Sequence, residues 1–85
     1  MKRIKRLRTE PGYRIEVDFE DGLSGTINLS SELYGPIFEP LRDPEFFAQA
    51  RIDEFGVVCW PNGADLAPEF VYEEVRRQSA ELSSR

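Results

Sequence analysis

An α+β fold is predicted for this chain: an antiparallel meander sheet of about four or five strands, with two or three short helices on one side. Three observations predict it. Tyr13 to Glu20 alternates strictly, with Tyr13, Ile15, Val17 and Phe19 on one face and Arg14, Glu16, Asp18 and Glu20 on the other. That is the period of a strand with one wet face. Val57-Val58-Cys59-Trp60 is an unbroken apolar run, as in a strand covered on both faces. Pro68-Glu69 then opens a stretch in which Val71 and Val75 share a face with Phe70 nearby. Proline suits the first turn of a helix, and an acid suits its positive end.

Taken in order, Met1 to Arg8 interleaves Ile4 and Leu7 with Lys2, Arg3, Lys5, Arg6 and Arg8. A charged edge strand fits, because charge on an edge discourages pairing with a second chain. Glu10-Pro11-Gly12 is a turn, and Asp21-Gly22 closes a hairpin between the alternating strand and Leu23 to Leu29. Leu23, Ile27 and Leu29 point inward, with Gly25 marking a gap or bulge on that face. Ser30 to Tyr34 reads as one helical turn, capped by Ser30 and stopped by Gly35-Pro36. Ile37, Phe38 and Leu41 dock the following loop on the sheet. Asp43-Pro44-Glu45 starts a short helix burying Phe46, Phe47 and Ala50. Arg51 to Phe55, with Ile52 and Phe55 inward, forms a second hairpin with Val57 to Trp60 across Gly56. Trp60-Pro61-Asn62-Gly63 is a tight turn. The last helix runs from Pro68 to about Gln78, and the apolar-poor 79–85 segment is expected to fray. No repeat or linker interrupts residues 1–85, so a single small domain is expected.

Composition narrows the function classes. At 85 residues, 40% hydrophobic and 12% aromatic, the chain holds enough for one core. Its apolar runs fall far short of the ~20 residues that span a bilayer. No apolar stretch follows the basic start, so no secretory signal is read. A single cysteine excludes an internal disulfide, and a cytoplasmic location is expected. The formal charge is −5, yet five of the 11 cations stand in the first eight residues, leaving six against 16 acids elsewhere. An acidic body repels phosphate backbones. The leader remains free to touch phosphate, an acidic partner or the protein's own acidic surface.

Chemistry is scarce. With no histidine, the commonest general base and metal ligand is missing, and neither Ser-His-Asp nor Cys-His catalysis is available. Asp18, Glu20 and Asp21 are close enough to weigh as calcium ligands, but the hairpin accounts for them. Cys59 reads as a buried structural thiol. Trp60 is either a recognition platform or, as its bulk favours, a core residue with its indole N–H on a carbonyl. Asn62, Gly63 and Asp65 line a small polar pocket or simply supply turn chemistry. Glu73 to Arg77 is a helix-spaced pair on a solvated face. No enzyme, cofactor or metal site is expected.

Three motifs in order carry a family resemblance: Phe19-Glu20-Asp21-Gly22, then Leu41-Arg42-Asp43-Pro44 with Phe46-Phe47, then Val58 to Pro68. Together they resemble the small bacterial domain-of-unknown-function family 2442, from about Ile4 to Tyr72, with Trp60-Pro61-Asn62-Gly63 and Asp65-Leu66 the most specific part. The resemblance implies an α+β fold, in one member followed by a helix-turn-helix domain, which is not expected in a chain that stops at Arg85. It also implies members that often stand alone beside another small encoded protein, an arrangement that points to toxin–antitoxin pairs. It supplies no catalytic residues. The expected role is a binding module acting through a protein partner, the product of a neighbouring gene, with Trp60, Pro61, Asn62, Gly63 and Asp65 as its motif. The alternative is a nucleic-acid accessory using Lys2, Arg3, Lys5, Arg6 and Arg8 on phosphates.

Overall fold

Short strands punctuated by glycine turns build the chain in the computed structural model, which describes residues 2–83, with side chains through Gln78. Strands β1 (Ile4–Glu10), β2 (Arg14–Phe19) and β3 (Ser24–Asn28) come first. Two 3-10 turns, Ser30–Glu32 and Glu39–Arg42, lead to helix α1 (Pro44–Phe47). Strands β4 (Arg51–Ile52), β5 (Val58–Cys59) and β6 (Asp65–Leu66) precede helix α2 (Pro68–Ser83). Among the described residues no helix is long and apolar enough to cross a membrane.

The α+β class and antiparallel pairing are as expected, but the strands form two three-stranded sheets, β1-β2-β3 and β4-β5-β6, rather than one of four or five. The reason lies in the connection. Between β3 and β4 the chain carries Gly35 at a φ of 87° and Pro36, Pro40 and Pro44, which coil it into turns and α1 instead of a hairpin. β4 therefore starts a new sheet. The sheets meet where the Ile4 N–H donates to the Gly56 carbonyl at 3.2 Å. On the far edge, the Asn28 N–H donates to Gln78 Oε1 of α2 at 3.1 Å.

Three of the four hairpins use one loop chemistry, the β1–β2 turn with Tyr13 last being the other. Glu20-Asp21-Gly22, Glu54-Phe55-Gly56 and Pro61-Asn62-Gly63 each end on glycine, with φ of 100°, 77° and 93°. In each, the residue before the loop donates its N–H across the hairpin: Phe19 to Leu23, Asp53 to Val57 and Trp60 to Ala64, at 2.7, 2.9 and 2.9 Å. The glycine N–H donates back to that same residue, at 3.1, 3.0 and 3.0 Å. Three-residue hairpin loops place a positive-φ residue last, which glycine adopts without a Cβ penalty. The third loop joins β5 to β6, a strand too short for sequence periodicity to show.

Register fixes the two faces of the first sheet. Leu7, Val17 and Gly25 lie in one row and Thr9, Ile15 and Ile27 in another, facing the core. Arg6-Asp18-Ser24 and Arg8-Glu16-Thr26 form the wet rows. Ile15, Val17, Phe19 and Ile27 are buried together with Leu41, Val58, Trp60, Val71 and Val75.

Several local expectations are corrected. Phe55 is 64% exposed at a loop tip instead of inward, because the Asp53 carboxylate accepts from the Phe55 and Val57 N–H groups and ends β4 at Ile52. Gly25 pairs regularly with Val17, and the irregularity falls in β1 between Ile4 and Arg6. Ser30 lies inside its 3-10 turn and does not cap it; Asn28 Oδ1 accepts from the Ser30 N–H at 2.8 Å. Cys59 is half-buried, since side chains alternate and only Val58 and Trp60 point to the core. Tyr13 sits in the turn with φ of 61°, a strained value for a bulky residue. Its ring meets Phe47 edge-on at 5.6 Å and its hydroxyl donates to the Arg42 carbonyl. Asp43 does cap α1, accepting from the Glu45 N–H at 3.0 Å. Helix α2 continues to Ser83, past its expected end near Gln78. Residues 84–85 of the expected frayed tail lie outside the described residues.

Candidate functional site

The basic leader folds onto the protein's own acids. Arg3 pairs with Glu20 at 3.5 Å, Arg6 with Asp18 at 3.3 Å, and Arg8 with Glu16 at 2.6 Å. The antiparallel register sets the last two pairs directly opposite one another. Such exposed pairs are each worth about 0–1 kcal/mol. They nonetheless occupy the cations. Lys5 alone in the leader is exposed without a side-chain partner among the described residues. The three acids weighed as metal ligands also diverge, Asp18 to Arg6, Glu20 to Arg3 and Asp21 to Tyr72.

Lys2 sits over the Tyr72 ring, 3.9 Å from its centroid. That ring packs edge-on against Phe19 at 4.8 Å, and its hydroxyl donates to Asp21 Oδ2 at 2.6 Å. The hydrogen bond from Tyr72 holds the Asp21 carboxyl below its usual range, and the Asp21 carboxylate raises the Tyr72 hydroxyl above its own. A depressed carboxylate pKa contributes stability that is present above the unfolded value and lost as pH falls through the folded one. The raised phenol contributes below its unfolded value, and that contribution is lost as pH rises through the folded one. Tyr72→Phe is therefore expected to remove part of the loss of stability on acidification from about pH 6 to about pH 2. Urea melts across that range measure it. Identical slopes in both proteins would show that this bond does not set the dependence.

The most specific sequence motif divides into a core half and a surface half. Trp60 is 2% exposed, and its indole N–H donates to the Phe47 carbonyl at 3.0 Å. Pro61 and Gly63 are exposed in the β5–β6 loop, and Asp65 points outward from β6. Asn62 is the link. Its Oδ1 accepts from the Ala64 N–H at 3.1 Å, while its Nδ2 donates to the Ile37 carbonyl at 2.9 Å. Asn62 thus ties the β5–β6 hairpin to the loop at 33–38. Asn62→Ala is expected to cost about 1–2 kcal/mol and to speed amide hydrogen exchange in 33–38 more than in β2. Uniform acceleration across both segments would refute the tie.

Between that loop and the start of α2 lies a groove of about 260 Å³, lined by Glu32, Tyr34, Phe38, Asp65, Leu66 and Phe70, with Ala67. Tyr34 is 65% exposed and Ile37 44%, on a loop whose Leu33 and Ile37 carbonyls accept from Arg42 and Asn62. Arg42 supports the loop from the other side of the chain, donating to the Leu33 carbonyl at 2.6 Å. Glu32 and Asp65 have no hydrogen-bonding or ionic side-chain partner among the described residues, and no lysine or arginine lines the groove. A larger hollow of about 360 Å³ lies beside Pro11, Tyr13, Pro44 and Phe47. Its one acid, Glu10, is already paired with Arg8 and Arg14, at 3.6 and 3.7 Å.

The sequence singled out Asp65 but missed Glu32, Tyr34, Phe38 and Phe70. The only signal was an apolar cluster around Gly35-Pro36 that follows neither strand nor helix period. On α2, the helix-spaced pairs expected of Glu73-Glu74 and Arg76-Arg77 form at i,i+3: Glu73 with Arg76 at 3.9 Å and Glu74 with Arg77 at 2.6 Å.

Among solved structures, the chain is similar to the crystal structure of the "Putative DNA Binding Protein NE0471" of Nitrosomonas europaea ATCC 19718, with a TM-score of 0.81 at 23% identity. The likeness covers 94% of this chain and 52% of that one, so the chain spans about half that protein's length. At this identity it shows the fold. No match is found among curated proteins. The family model described as "Protein of unknown function (DUF2442)" matches residues 4–77, and the chain belongs to that family.

Proposed function

We propose that this chain is a small binding module that acts through a protein partner, docked in the groove between the 33–38 loop and the β6–α2 junction. One observation carries the reading: exposed Tyr34 stands over a groove whose two acids are unpaired, in a protein that pairs most of its leader cations internally. Aromatic side chains at the edge of a pocket are favoured anchors for protein partners. At about 260 Å³ the groove falls below the usual 300–1,000 Å³ of small-ligand pockets, and it suits one or two partner side chains. An antitoxin-like or regulatory role, with the partner encoded by a neighbouring gene, is analogy to the family. No step of this reading calls for catalysis.

Affinity purification at native expression tests it, with both protein and nucleic acid identified. A protein recovered at one-to-one stoichiometry, and lost with Tyr34→Ser, supports the reading. Nucleic acid recovered without a stoichiometric protein overturns it.

A second reading is favoured by the neighbour's name and by the five leader cations. In it, the leader contacts phosphates. An arm neutralising about four phosphates gives a log K against log salt slope near −3.6. Arg3, Arg6 and Arg8 would first have to leave Glu20, Asp18 and Glu16.

A further inference from the structure

Resting on the groove reading above, we propose that the docked partner segment is a basic peptide stretch. One apolar side chain seats among Phe38, Leu66 and Phe70, and lysine or arginine on either side meets Glu32 and Asp65. The argument is charge complementarity. Acids elsewhere on the first sheet are matched by cations: Asp18 by Arg6, Glu16 by Arg8, Glu20 by Arg3 and Glu10 by Arg14. Glu32 and Asp65, like Glu39, Glu45, Glu54 and Glu69, have no ion-pair partner among the described residues, but these two lie at an apolar groove with no cation lining it. Glu32 is half-buried, so a carboxylate of the partner would meet a like charge with reduced solvent screening, whereas a cation would meet an available acceptor. Exposed Tyr34 adds a ring face on which a guanidinium stacks. The protein's net charge of −5 acts in the same direction, drawing a basic segment toward it over distance.

Selection from a displayed library of random short peptides on the full chain tests the proposal, with Tyr34→Ser and the Glu32→Gln/Asp65→Asn double variant as comparisons. The expected result is enrichment of peptides that combine an apolar residue with lysine or arginine. The double variant should bind them roughly tenfold more weakly, a few-fold per carboxylate, with a flatter salt dependence. Circular dichroism melts check that each variant remains folded. Selected peptides that respond to Tyr34→Ser but carry no excess positive charge, or bind the double variant equally well, overturn this inference and leave the groove reading standing. Recovery of no peptide whose binding responds to Tyr34→Ser overturns both.

Discussion

Replacing Trp60 with alanine is expected to cost about 3–5 kcal/mol, a large part of the total stability of a domain this small. The side chain is 2% exposed and packs against Phe47 with ring centroids 5.8 Å apart. Its removal opens a cavity between α1 and β5 and leaves the Phe47 carbonyl without its indole donor. The cavity accounts for most of that cost, because the Phe47 carbonyl still accepts from the Ala50 N–H, at 3.2 Å. Since Trp60 is the only tryptophan, its fluorescence reports the site directly. A blue-shifted emission that iodide quenches poorly is expected in the native protein. Red-shifted, freely quenched emission, with a Trp60→Ala protein as stable as the parent, would place the ring at the surface and make it a recognition residue.

The second large effect is expected at Gly56. A Cβ added there would stand 3.0 Å from the Arg3 Cβ and 3.2 Å from both the Arg3 Cα and the Ile4 nitrogen. Two of those neighbours are backbone, and the residue also holds φ at 77°. Gly56→Ala therefore combines a left-handed penalty with a clash at the contact between the sheets. The expected cost is on the order of 3 kcal/mol. Gly63 supplies the control, with φ of 93° and nothing within 4 Å of its added Cβ, so Gly63→Ala should cost only the conformational part, about 1–2 kcal/mol. Denaturant melts of both variants separate the two contributions. Equal losses would mean that the approach of β1 to the β4–β5 loop is not tight.

Much of the fold was legible because it rests on local chemistry. The alternation of Tyr13 to Glu20, the glycines closing the hairpins and the Asp43-Pro44-Glu45 start of α1 act over a few residues and read directly from the chain. The family was legible too, since the motifs around Trp60 to Leu66 survive as a contiguous string. The strand at Asp65–Leu66 was not: it shows no period, and only its antiparallel pairing with Val58–Cys59 defines it.

By itself, the sequence determined the antiparallel hairpins, the helix from Pro68 and the absence of histidine. Tertiary structure decided the rest. The split into two sheets depends on how the connection at 29–50 coils, a sum of weak preferences that no single residue sets. Whether the leader's cations face phosphate or the protein's own acids depends on register, which brings Arg6 to Asp18 and Arg8 to Glu16 across a hairpin. The groove draws Glu32 and Tyr34 from one loop, Asp65 from a strand and Phe70 from a helix. Residues separated by more than 30 positions acquire a shared site only when the intervening chain has folded, because Asn62 can reach the Ile37 carbonyl only in that state.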